Sequence, residues 1–148
     1  MWSTRERVPA HTDEELNQRI QRDIDLRVGF YEGHKELIPD RLRELDMEWD
    51  IERAIEVNAA VVGFAGSFLG TTVDRRWFAL PAMVAGFLFQ HAVQGWCPPV
   101  PVLRRLGFRT SQEIEQERQA LKALRGDYDG LSKAHDKVRA VLEAVRLA

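Results

Sequence analysis

Two stretches of this chain, Val57 to Val73 and Trp77 to Leu103, contain no Lys, Arg, Asp or Glu, although charged residues make up 30% of the 148-residue sequence. That partition restricts the fold more than any motif does. Two apolar segments separated only by Asp74, Arg75 and Arg76 either pair as a very apolar core or enter a bilayer.

The flanks read as helices. Thr12 with Glu15 forms a capping box, and Leu16, Ile20, Ile24 and Val28 recur every fourth residue behind it. Gly29 and Gly33 weaken this helix and Pro39 interrupts it. A second helix is then expected from about Asp40 to Val73 without a breaker, and after the turn a third, RWFALPAMVAGFLFQHAVQGW, ending at Pro98 and Pro99. VPVLRRLGF reads as a short helix closed by Gly107, and Thr110 with Glu113 forms a second capping box. Gly126 and Gly130 bracket a turn before a last amphipathic helix that carries Leu131, Ala134, Val138, Val141, Leu142 and Val145 on one face.

The expected fold class is all-α, a two-helix transmembrane hairpin flanked by cytoplasmic amphipathic helices. Its organisation is a tail at 1–11, a charged helical arm at 12–48, the hairpin with a Cys-Pro signature at 49–110 and a second helical arm at 111–148.

A span needs about 20 apolar residues at about 1.5 Å of rise each. Trp77 and Trp96, nineteen residues apart, would lie roughly 28 Å from each other on one helix. Each then sits at an interface, the level that suits an apolar ring with a polar N–H, and Trp49 marks the entry to the preceding helix. Gly66 and Gly70 form a GxxxG pattern with Gly63 nearby, and Ala82 with Gly86 forms a small-xxx-small pair. Such spacing lets helix backbones approach closely, within a hairpin or between copies, so a homodimer or higher homo-oligomer is expected.

The outer flanks hold Arg41, Arg43 and Arg53 on one side and Arg104, Arg105 and Arg109 on the other, whereas the turn holds Arg75 and Arg76. The positive-inside tendency favours both termini of a membrane hairpin in the cytoplasm. MWSTRERVPAHT has no apolar stretch, so no cleavable secretory signal is expected. The net charge of −2 gives no general attraction to nucleic acid. No phosphate loop or metal-ligand spacing occurs, and neither cofactor nor metal is expected.

Folding the hairpin brings Glu56, Asn58, Gln90, His91 and Gln94 to a similar depth, with the single cysteine, Cys97, at the rim. Polar groups at membrane depth need partners. They satisfy one another and fix the hairpin's register, snorkel to water, or form a proton or thiol site. Cys97 lies near a helix C-terminus, whose dipole disfavours a thiolate, although Arg104 and Arg105 could offset this if VPVLRR folds back.

GWCPPVPVLRRLGFRT, placed after two apolar helices, resembles the YgaP-like inner-membrane domain family, whose function is unknown. Gly95, Cys97, Pro98, Leu106, Gly107 and Thr110 carry the resemblance, which covers roughly Trp49 to Glu113. It implies a helical hairpin dimer, and some members are fused to a rhodanese sulfurtransferase domain. This chain has no second cysteine and no room for an α/β domain.

The reading reached from the residues is a non-catalytic membrane module that self-associates and presents cytoplasmic helices to a protein partner. Its alternatives are a membrane-tethered thiol or sulfur carrier using Cys97 with His91 as base, and a soluble helical bundle that serves as an interaction protein. Arms lying flat on lipid fit less well, because their polar faces mix acids with bases.

Overall fold

A computed structural model of the chain describes residues 7–129 together with Val138 and Val141. Every regular element among the described residues is helical. The helices are α1 (Glu14–Glu32), α2 (Ile38–Met47), α3 (Ile51–Thr72), α4 (Ala79–Gln94), α5 (Pro99–Arg105) and α6 (Ser111–Arg125). The last amphipathic helix expected from sequence lies outside the described residues, save for Val138 and Val141, which are helical. Gly130 also lies outside them.

The chain divides into two compact units. One takes the described residues up to Ile20 with Trp49–Gln112, the other Gln21–Glu48 with the described residues from Glu113 onward.

In the first unit, Val8, Ile51, Ile55, Cys97 and Val100 form the buried core, with Phe87, Leu88, Leu103 and Phe108 packed against it. Val8 belongs to the segment that the sequence reading assigned to a tail. Residues 7–11 instead form a strap. Pro9–His11 makes a 3-10 turn, the Thr12 hydroxyl donates to the Val8 carbonyl at 2.9 Å, and Asn17 Nδ2 donates to the Pro9 carbonyl at 3.0 Å. Thr12 is thereby spent on the strap rather than on a capping box. Asp13 precedes α1 in its place, its carbonyl accepting from the Asn17 amide at 3.0 Å.

The long second helix expected from Asp40 to Val73 is two helices. Glu48 turns extended, with φ −68° and ψ 133°, and Asp50 is extended likewise, its carboxylate accepting from the Arg53 amide at 2.8 Å. That bond satisfies an amide which a new helix start would leave without a partner, so α3 begins at Ile51 although no glycine or proline interrupts the sequence. The Ile51 amide donates to the Arg109 carbonyl at 2.9 Å, which ties the entry of α3 to the segment before α6.

Asp74 caps the connection between α3 and α4, accepting from the Arg76 amide at 2.8 Å, and Arg75–Phe78 forms a 3-10 turn. Trp77 therefore lies in that turn. At the other end α4 stops at Gly95, whose φ of +79° is the left-handed conformation that closes helices, and its amide donates to the His91 carbonyl at 2.7 Å. Trp96 lies beyond. The two tryptophans thus flank α4 without sharing one continuous helix.

Among the described residues one stretch, Lys35–Thr72, is long and apolar enough to cross a membrane, and 17% of its most apolar part is buried within the chain. The uncharged part of that stretch lies on α3. By the same measure α4, at 16 residues, is too short.

In the second unit, Ile38, Leu42 and Leu45 of α2 pack with Ile114 and Leu121 of α6, joined by Val28, Tyr31 and Leu124. Ile38, Leu42 and Leu45 follow the i, i+4, i+7 spacing of one helix face, which is why so charged a segment still makes a core. Glu117 is fully buried there between Arg41 at 2.8 Å and Arg27 at 3.3 Å.

Candidate functional site

α3 and α4 run antiparallel through two close approaches. An added Cβ on Gly66 would come within 2.7 Å of Pro81 Cδ and 2.9 Å of Leu80 Cβ, and one on Gly70 within 3.0 Å of the Phe78 ring. The GxxxG pair is therefore consumed inside the hairpin. Gly63 and Gly86, in contrast, have nothing within 4 Å of an added Cβ, and Ala82 is exposed beside Gly86 on α4.

Large apolar side chains point outward from both helices. Val57, Val61, Phe64 and Phe68 follow i, i+4, i+7, i+11 spacing along α3, with Phe64 73% exposed, and Met83, Phe89 and Val93 are exposed on α4. Of the three expected interface tryptophans, Trp49 and Trp77 are exposed and Trp96 is half-buried. The Arg53 guanidinium lies 4.5 Å from the Trp49 ring centre, a cation–π contact at the entry of α3.

Toward the strap, the two helices and the Cys-Pro-Pro segment enclose an apolar cleft of about 210 Å³. Ile55, Asn58, Val62, Phe87, Leu88 and Cys97 are among the residues that line it. Cys97 is 2% exposed. Burial pushes its thiol above the ordinary range, and a hydrogen bond from the Val100 amide offsets this only in part.

Arg104 and Arg105 do not fold back onto the sulfur. The Arg104 side chain is fully buried and donates to the Phe108 carbonyl at 3.2 Å and to Asn17 Oδ1 at 3.1 Å, while Arg105 lies 3.6 Å from Asp13. No described cation holds Cys97 as a thiolate.

The polar residues expected to cluster part company. Glu56, Asn58 and Gln94 are exposed, Gln90 is half-buried and His91 is buried, and no hydrogen bond among the described residues joins any two of them. Only Asn58 shares the cleft with Cys97. Both ring nitrogens of His91 are buried without a hydrogen-bond partner.

Sequence reasoning missed Arg7 and Val8. Arg7 Nη1 donates to the Ala92 carbonyl at 3.0 Å, and Val8 joins the buried core that contains Cys97. One apolar residue among polar neighbours carries no periodicity, so the Val-Pro pair that opens the 3-10 turn was the available signal. Among the described residues no group of three His, Cys, Asp or Glu is placed to hold a metal ion.

No family model matches this chain, and no curated protein or solved structure is significantly similar to it.

Proposed function

We propose that this chain is a non-catalytic module of the bacterial inner membrane, in which α3 and α4 enter the bilayer as a hairpin and the helices of the other unit present a surface to a cytoplasmic protein. The observation that carries this reading is the outward apolar stripe of α3. A helix of such composition in the core of a water-soluble domain buries most of its side chains, whereas here Val57, Val61, Phe64 and Phe68 face away from the chain.

The lengths are short but workable. The uncharged run of α3, residues 57–72, and α4 each span roughly 24 Å, against a hydrocarbon core of about 30 Å. Local thinning of the bilayer closes a gap of this size at a fraction of a kcal/mol per Å. The Gly66 and Gly70 contacts let the pair enter as one packed element, and the open Gly63 and Ala82–Gly86 surfaces leave room for a second copy. The resemblance carried by Gly95, Cys97, Pro98, Leu106, Gly107 and Thr110 points the same way.

The thiol-carrier alternative is weaker. A carrier needs an accessible thiolate, and the surroundings of Cys97 favour the protonated form.

Carbonate extraction of membranes from expressing cells tests the proposal, together with Asp74→Cys in a Cys97→Ser background and an impermeant maleimide. The expected result is a chain that stays in the pellet and an introduced thiol that labels from outside intact cells. Recovery in the soluble fraction overturns insertion and assigns the apolar stripe to a protein contact. Labelling only in inverted vesicles overturns the orientation.

A further inference from the structure

We infer that the strap formed by Arg7 and Val8 is a proton-released cover, held over Cys97 while the His91 ring is neutral and opened when that ring takes a proton.

The strap lies directly on the end of α4. An added Cβ on Gly95 would fall 2.5 Å from Arg7 backbone and side-chain atoms, so only glycine lets the strap sit there. Beyond the hydrogen bond from Arg7 to the Ala92 carbonyl, Val8 holds the strap down by packing with Ile51, Ile55, Cys97 and Val100. Beneath this cover His91 is 7% exposed, with neither nitrogen bonded.

An imidazole there is costly as packing material. A buried polar group without a partner forfeits the hydrogen bonds it makes with water, which a leucine or phenylalanine in the same space would not. Protonation turns both ring nitrogens into donors without a partner among the described residues and places a second cation near Arg7, which is bonded to the adjacent Ala92 carbonyl. Arg7 is the charged side chain that the strap brings to this end of α4. Lifting the strap relieves both penalties, because it admits water to the ring and removes the guanidinium.

A second histidine belongs to the strap itself. His11 Nδ1 lies 2.8 Å from the Arg7 carbonyl oxygen and donates to it in the protonated form as it does in the Nδ1–H tautomer. That bond lies within the strap, whereas the His91 ring lies beneath it.

The readout is Cys97, which opening uncovers. The full-length chain in detergent is treated with 4,4′-dithiodipyridine, which reports thiols at acid pH, between pH 8 and pH 5. At each pH the wild-type rate is divided by the rate of His91→Phe, which cancels the thiol's own titration. The open population then rises by at most about 30-fold over this range, the limit set by an uncovered ring of ordinary pKa, about 6.5. The ratio should climb accordingly.

Val8→Ala should label faster at every pH and keep the wild-type slope. His91→Gln, which neither titrates nor removes hydrogen-bonding capacity, should match His91→Phe if the latter folds, and replaces it if helical circular dichroism shows that it does not. His11→Gln should leave the slope unchanged. A ratio that stays flat, or a slope that disappears with His11→Gln instead, overturns the inference. A Val8→Ala rate equal to wild type overturns it too, since the strap would then not be what covers the sulfur. None of these outcomes depends on whether the hairpin enters a membrane.

Discussion

Arg41 Nε donates to Glu117 Oε1 at 2.8 Å, and the Glu117 side chain has no exposed surface. Burial disfavours the charge on Arg41, but its hydrogen bonds to Glu117 and Glu44 outweigh that and keep the guanidinium firmly protonated. A carboxylate in such a place cannot simply be deleted. Removing one partner of a buried pair strands the other charge, at a cost of about 3 kcal/mol or more. Glu117→Gln should therefore lower the denaturation midpoint by that order. Glu44→Gln, which removes an exposed partner of the same arginine, should change it by less than about 1 kcal/mol. Equal effects in denaturant titrations would show that Glu117 is not the centre of this core.

Gly66 and Gly86 should behave oppositely when replaced by leucine. At Gly66 the new side chain meets Pro81 and Leu80, so α3 and α4 must separate at a cost of about 3 kcal/mol. At Gly86 it enters open space and leaves the hairpin intact. In thermal unfolding Gly66→Leu should be destabilised and Gly86→Leu close to wild type. In crosslinking of membranes the pattern should invert, with Gly86→Leu losing dimer. A loss of dimer confined to Gly66→Leu would move self-association to the other face.

Cys97 should alkylate more slowly at pH 8 than a free cysteine, and at the ordinary rate once the chain is unfolded. The sign of its pH dependence follows from the direction of the shift. A thiol raised by burial contributes stability below its unfolded pKa of about 8.5 and loses it as pH rises toward the folded value. The midpoint difference between wild type and Cys97→Ala should accordingly shrink between pH 7 and pH 10. A difference that grows over this range would mean that the folded site favours the thiolate.

The spacing of apolar residues showed where helices form. Leu42 and Leu45, or Ile114 and Leu121, repeat at helical intervals and are buried as that repeat requires. The break at Glu48–Asp50 was hidden because nothing there forbids helix, and Asp50 ends one only by offering its carboxylate to the Arg53 amide. Gly66 and Gly70 were legible as a close approach, but spacing alone could not tell a contact with Leu80 and Pro81 from one with a second copy. The polar cluster failed for a related reason. Depth along a hairpin is set by counting from the turn, whereas the direction each side chain takes around its helix separates buried His91 from exposed Gln94.

The charged tip of the hairpin also bears on how such a chain is made. Asp74, Arg75 and Arg76 are all exposed at the connection. In the proposed orientation they must be carried through the hydrocarbon layer before either helix can settle, and charges there cost several kcal/mol. In that orientation the barrier to insertion lies in three residues at the leading edge. A hairpin of this kind depends on an insertion machine to pass its tip, and once through, the same three charges hold it against slipping back.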